Sequence, residues 1–223
     1  MTAQGMYYLI RALVTLIAIP FHEAGHALAA WLLGDPTAKR EGRISLNPFR
    51  HFDLVGTLCM IFAGVGWAKP VSTAPRNFKN PKWGMALTAL AGPAANLLLA
   101  YLGMVAWKIL YYWAPTTMIT IFAARFLQYL VMMDVGLAVF NLIPIPPLDG
   151  SHALNLAVSA LFGPLVGDAV AALAGVLCSL ALLGGVVYLY VQTRSGALVI
   201  FAALALLLSA LKELRLARRA IKV

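Results

Sequence analysis

The ten residues FHEAGHALAA, numbered 21–30, lie inside an apolar run that extends over about 6–33. A continuous apolar run of this length predicts a membrane-spanning helix. Two imidazoles and a carboxylate are costly at such a place, because the bilayer core offers them no water. His22, Glu23 and His26 therefore need a compensating partner, and the nature of that partner is the first question the sequence raises.

The composition predicts an integral membrane protein. Of the 223 residues, 62% are hydrophobic and only 11% are charged, which is more apolar surface than a soluble domain of this size can bury. The net charge of +9 fits contact with anionic lipid head groups and a topology signal rather than nucleic-acid binding. The two cysteines, Cys59 and Cys178, lie in apolar surroundings and are predicted to pack in the core.

The expected fold is an all-α polytopic membrane protein that forms a single membrane-embedded domain over 1–223. Residues 54–66 and 151–164 are apolar but too short to cross a core of about 30 Å at about 1.5 Å per residue. The second piece predicts a short interfacial helix, whereas the first predicts a re-entrant β-hairpin near 44–72. About five membrane-spanning helices are predicted, at 6–33, 84–111, 118–142, 168–191 and 197–211.

Basic residues predict the orientation. They cluster in the polar connection 34–83 and in the tail 212–222. The positive-inside rule places both segments in the cytoplasm, and five spans satisfy it with the N-terminus outside. We therefore expect a multi-pass protein of the cell membrane whose site faces the cytoplasmic side. Cleavage of a signal peptide would disrupt 21–30, so this segment is expected to be retained.

Residues 22–26 form an H-E-x-x-H pattern. Residues four apart lie on one face of a helix, so His22 and His26 can reach the same metal ion. Glu23 can then act as general base on a water molecule at that ion. A catalytic zinc site usually takes three protein ligands, so one ligand must come from elsewhere in the chain.

Asp149 is the favoured third ligand. It follows an apolar span and a proline-rich stretch that cannot continue a helix, which would fix a carboxylate at the edge of a membrane cavity. Asp149 could instead cap the helix that follows it. Asp134, in the middle of a predicted span, competes as ligand, and His152 is a further candidate.

Four segments together resemble the site-2 protease family of intramembrane zinc metalloproteases, in particular small bacterial members without a PDZ or CBS domain. The resemblance covers about 21–151. The segments are FHEAGHALAA (21–30), GWAKPV (66–71), ALAGPAANLLLA (89–100) and FNLIPIPPLDGS (140–151).

This resemblance implies that His22, His26 and Asp149 hold Zn²⁺ and that Glu23 activates water. It also implies that Asn141 positions the substrate or stabilises the oxyanion, and that Asn96 faces the site. Cleavage of single-span membrane proteins within the lipid bilayer is the implied activity. Substrate identity and oligomeric state stay open.

Two other functions fit parts of the sequence. Histidines and carboxylates inside a membrane also suit a metal transporter or channel, which would keep its function when Glu23 is changed. A catalytically inactive scaffold would tolerate the loss of any of the proposed ligands. The complete set of H-E-x-x-H and Asp149-Gly150 favours the protease over both.

Overall fold

The computed structural model describes residues 2–63, 66–145 and 148–193. It consists of two compact units, Met1–Leu142 and Ile143–Val223. The described secondary structure is helical, as the composition predicts. In the part of the chain that the structure describes, the first unit has five α-helices and two short 3₁₀-helices, and the second has two α-helices.

Helix α1, Ala3–Leu32, carries the H-E-x-x-H pattern. The Thr2 hydroxyl accepts a hydrogen bond from the Gly5 backbone N–H at 3.1 Å and so caps the helix. At the other end, Gly34 has a φ of +108°, a left-handed conformation that glycine adopts easily and that stops the helix. The pattern therefore lies well inside a continuous helix.

Helix α4, Pro81–Trp113, packs against α1 through small residues. It begins with Asn80 as cap, accepting from the Trp83 N–H at 3.3 Å. From Thr88 onward, its buried positions recur every three or four residues, which places them along one helix face. These are Gly84, Ala86, Thr88, Ala89, Gly92, Pro93, Asn96, Ala100 and Gly103. Because most of these side chains are small, the two backbones can approach closely.

Helix α5, Met118–Asn141, packs against both α4 and α1. Thr117 and Thr120 form a capping box at its start. Ile10 and Val14 from α1 and Leu130 from α5 form a buried apolar cluster. Partly buried side chains of α5 pack against this cluster, whereas others of its large apolar side chains are exposed, as expected of a helix surrounded by lipid.

Among the described residues, three helices are long and apolar enough to cross a membrane: Gln4–Leu32, Pro81–Trp113 and Met118–Asn141. They match the first three predicted spans. In the second unit, α7, Pro164–Thr193, covers the range of the fourth predicted span, and its first part, Pro164–Cys178, is apolar. The fifth predicted span, 197–211, lies outside the described residues.

The connection between α1 and α4 differs from the prediction. It contains α2, Thr37–Arg40, and α3, Leu54–Ala63, with 3₁₀-helices at Pro48–Arg50 and Pro75–Asn77. Within its described residues, the predicted β-hairpin is reduced to an antiparallel bridge between Phe52 and Ala68. A helix pairs its backbone groups within the segment itself, so an apolar stretch such as 54–63 does not need a partner strand.

In the second unit, α6, Asp149–Phe162, packs against α7. This helix confirms the predicted element at 151–164. Gly163 separates the two helices with a φ of +89°. The Asn155 side-chain amide donates to the Asp168 carboxylate at 2.7 Å, which ties the start of α7 to α6.

Candidate metal centre

The two histidines of the H-E-x-x-H pattern converge on one point. His22 and His26 lie one turn apart on α1, and both are buried. Their Nε2 atoms are 3.0 Å apart, and their rings are nearly perpendicular. Two nitrogen atoms that share a metal ion must approach one another in this way, so the sequence prediction of a shared face is confirmed.

Each imidazole is held at its other nitrogen by α4. The His22 Nδ1 lies 3.2 Å from the Asn96 Oδ1, and the His26 Nδ1 lies 2.7 Å from the Thr88 carbonyl oxygen. A carbonyl oxygen can only accept, so His26 carries its proton on Nδ1, and the Asn96 Oδ1 favours the same tautomer for His22. Both Nε2 atoms then carry the lone pair with which an imidazole binds a metal.

Two glycines make room for this arrangement. A Cβ added at Gly92 would lie 2.3 Å from both the Cε1 and the Nε2 of His26, and 2.8 Å from the Cε1 of His22. A Cβ added at Gly25 would lie 2.8 Å from the Ala91 carbonyl oxygen. All of these distances are shorter than van der Waals contact, so glycine at these positions is required by the close packing of α1 and α4.

The His pair fits zinc. Two nitrogens that each lie about 2.0–2.1 Å from a tetrahedral zinc ion are about 3.3 Å apart, close to the observed Nε2 separation. The described residues supply His22 and His26 in the first unit and Asp149 in the second, which are donor types that zinc takes. Asp134 is buried in α5 of the first unit and does not join the two imidazoles in such a group.

Asp149 is the first residue of α6 and is half-buried. The cap position is occupied by Leu148 instead, so the alternative assignment of Asp149 as helix cap is not what the structure shows. His152 is exposed, one turn further along the same helix. The Asn141 side chain, at the end of α5, donates to the Leu137 carbonyl oxygen at 2.9 Å.

Glu23 lies beside the His pair and faces a buried cation. Its Oε2 is 3.9 Å from an Nη2 of Arg43, and both residues are less than one tenth exposed. Arg43, Thr88 and Gly92 had no predicted role. Gly92 lies in the segment ALAGPAANLLLA, so the resemblance of that segment could have indicated a role for it. Nothing in the sequence distinguishes Arg43 from its basic neighbours.

Two titratable groups stabilise the connection beside this site. Asp35 is fully buried, and burial alone would raise the pKa of its carboxyl group. Hydrogen bonds from the Ala74 N–H, Thr37 and Asn77 outweigh burial and lower this pKa to about 2. Burial also lowers the pKa of His51, and the positive charges of Arg43 and Arg50 lower it further. The hydrogen bond to the Ser45 carbonyl oxygen acts in the opposite direction and raises this pKa.

Known proteins resemble this chain at the level of sequence. Residues 103–184 match the profile of peptidase family M50, a range that includes the segment 140–151. YwhC of Bacillus subtilis, a zinc metalloprotease by name, is 37% identical over 153 residues, which cover 67% of this chain and 68% of YwhC. No solved structure is significantly similar.

Rip2, also named as a zinc metalloprotease, is 33% identical over 145 residues in Mycolicibacterium smegmatis. The Rip2 of Mycobacterium tuberculosis is 34% identical over 147 residues. Each match covers 63% of this chain and 54% of Rip2, so the chain spans about half the length of these mycobacterial relatives.

The H-E-x-x-H helix carries a buried, converging His pair, and the described range 2–193 has three helices able to cross a membrane. Together these features define the class of membrane-embedded zinc metalloproteases. The chain belongs to peptidase family M50, the site-2 proteases. Its cofactor is Zn²⁺, and it is a protein of the membrane.

Proposed function

We propose that this protein hydrolyses peptide bonds within or near the transmembrane segments of membrane-anchored proteins, with zinc held by His22, His26 and Asp149. The observation that carries the proposal is the orientation of the two imidazoles, whose Nδ1 atoms are hydrogen-bonded to α4 while their Nε2 atoms lie 3.0 Å apart. Asp149 supplies a carboxylate at the first turn of α6, and its donor type completes a three-ligand catalytic set.

When bound, zinc supplies Lewis-acid activation of water and of the scissile carbonyl group. Glu23 accepts a proton from the attacking water and passes it to the amine that leaves when the peptide bond breaks. The guanidinium group of Arg43, at 3.9 Å, provides a positive charge beside the Glu23 carboxylate. Asn141, at the end of α5, is assigned to positioning the substrate or the oxyanion.

A substrate helix has its peptide groups paired internally, so it must unwind before it can be cut. The unwound substrate can then pair, as an additional strand, with an extended segment of the protease. The residues after the Phe52–Ala68 bridge suit this role, because no backbone–backbone hydrogen bond of the described structure involves residues 70–73. Single-span membrane proteins with helix-destabilising residues are therefore the proposed substrates.

The proposed topology has five spans that form one catalytic domain over 1–223 in the cell membrane, with the N-terminus outside and the site toward the cytoplasm. Basic residues support it, since they cluster in 34–83 and 212–222. The three candidate spans of the first unit agree with the three crossings that the five-span topology has over 1–142.

The substitution Glu23→Gln tests the function. It keeps the shape of the side chain but removes the proton acceptor, so cleavage should fall by about 10²–10⁴-fold. Zinc content should match that of the parent, because Glu23 is not a proposed ligand. The assay follows cleavage of a single-span reporter with a glycine- or proline-containing segment in liposomes.

Glu41→Gln is the matched control, because Glu41 is exposed in the connection after α2. It should cleave like the parent. Undiminished cleavage by Glu23→Gln would show that Glu23 is not the base. Metal flux across the liposome membrane that does not depend on Glu23 would instead support a transporter.

A further inference from the structure

Arg43 connects three parts of the first unit that are far apart in the sequence. Its guanidinium group donates to the carbonyl oxygens of Arg50 and Lys69 and lies 3.9 Å from the Glu23 carboxylate. The side chain is 5% exposed. Burying an arginine costs free energy because its charge loses contact with water. A buried guanidinium group that donates to two carbonyl groups at once therefore indicates a specific role.

The two carbonyl groups belong to a short antiparallel pair of chain segments, here named the ribbon, residues 50–52 and 68–69. The Lys69 N–H donates to the His51 carbonyl oxygen at 2.8 Å, and Phe52 bridges Ala68. The ribbon has few hydrogen bonds of its own. Arg43 binds one carbonyl group on each of its two segments and holds both beside Glu23.

Residues 70–73 leave the ribbon and are anchored again at Ala74. The Ala74 N–H donates to the buried Asp35 carboxylate at 2.6 Å. Asp35 in turn accepts from the Asn77 side-chain amide at 2.7 Å. Arg43 and Asp35 therefore fix the two ends of the stretch whose backbone is available for pairing.

We propose that Arg43 is a positioning residue that fixes the ribbon, and with it residues 70–73, at a set distance from Glu23 so that an unwound substrate strand lies in register with the base. The role in substrate register rests on the proposed protease function. Glu23 lies within a 30-residue helix and keeps its place without Arg43, so the loss of Arg43 affects the ribbon.

The test combines hydrogen exchange with kinetics on the full chain in detergent. In Arg43→Gln, exchange at the Lys69 amide should rise about tenfold, while the amides of α1 around Glu23 stay protected. KM for the single-span reporter should rise about tenfold, since roughly 1.4 kcal/mol of binding corresponds to that factor, with little change in kcat. A partly unfolded sample would instead lower kcat and leave KM unchanged.

Arg43→Lys separates the role of charge from that of geometry. Lysine keeps the positive charge near Glu23 but lacks the planar guanidinium group that donates to two carbonyl groups at once. Amide hydrogen exchange at Lys69 should therefore also rise in this variant. Arg76→Gln is the matched control, because Arg76 is an exposed cation of the same connection. Its exchange and KM should equal those of the parent.

Parental exchange at Lys69 in both Arg43 variants would overturn the proposal, as would full rescue of exchange and KM by lysine. If the parent cleaves no reporter at all, the proposed function fails. The exchange measurement still decides whether Arg43 holds the ribbon.

Discussion

At the scale of single residues, the site depends on what lies behind the two imidazoles. The Asn96 side chain and the Thr88 carbonyl group hold the Nδ1 atoms of His22 and His26 and leave both Nε2 atoms for the metal. Only the resemblance predicted that Asn96 faces the site. The backbone partner at Thr88 has no sequence signal, because every residue type other than proline offers the same backbone groups.

Asp149 is the proposed third zinc ligand, and its removal tests the ligand set. Asp149→Ala should lose tight zinc binding, by more than the 10–100-fold that loss of an outer partner such as Asn96 typically costs. Asp134→Asn is the control, since Asp134 is buried in α5 and does not group with the His pair. Zinc content of the purified proteins measures both.

If Asp149→Ala keeps full zinc occupancy while Asp134→Asn loses it, the ligand assignment is wrong. Equal loss in both variants would indicate a general loss of structure, which thermal unfolding in detergent would show independently.

At the scale of elements, the contact between α1 and α4 decides whether the H-E-x-x-H helix becomes a site. Gly25 on α1 faces α4, and Gly92 on α4 faces α1. A Cβ added at Gly25 would contact Ala91, and a Cβ added at Gly92 would contact His26. Gly92 lies against the imidazoles themselves. A helix pattern by itself predicts which residues share a face, but the partner helix determines how closely that face is covered.

Gly92→Ala should therefore damage the metal site although it removes no ligand. The new methyl group would overlap His26, so we expect about 1–3 kcal/mol of destabilisation from overpacking and weaker zinc binding. Thermal unfolding and zinc titration in detergent measure the two effects. Gly136→Ala in α5 is the control, because a Cβ there meets no atom within 4 Å. Unchanged zinc affinity in Gly92→Ala would show that the helices can separate without cost.

At the scale of the whole molecule, polar and apolar surfaces predict how the chain crosses the bilayer. Aromatic side chains end α4, where Tyr111, Tyr112 and Trp113 are 68%, 74% and 84% exposed. Such residues favour the boundary between membrane and water. The connection at the other end of α4 carries the basic cluster of 34–83, so the two ends of this helix differ as the positive-inside rule requires.

Cysteine labelling tests the five-span topology. In a background without Cys59 and Cys178, single cysteines at Lys79 and Arg218 should react with a membrane-impermeant reagent only after the inner face is opened. A cysteine at Thr116, between α4 and α5, should react in intact cells. Labelling of Lys79 or Arg218 from outside, with Thr116 protected, would invert the topology.

The sequence by itself determined the class of protein, the first three spans and the paired histidines. These features are local, since hydropathy and the spacing of His22 and His26 are properties of one continuous segment. The predicted β-hairpin is wrong at 54–63, because there the local sequence does not decide the structure. An apolar segment with glycines fits both a helix and a strand, and only its surroundings decide between them.

Only the tertiary structure decided the partners of the site. Asn96 and the Thr88 carbonyl group are 74 and 62 residues from the histidines they hold, and Arg43 reaches Lys69 across 26 residues. Periodicity within a helix carries no information about which residue of another helix will lie opposite. That choice follows from the packing of α1 on α4, where a glycine at 92 lets the imidazoles approach and a buried guanidinium group connects Glu23 to the ribbon.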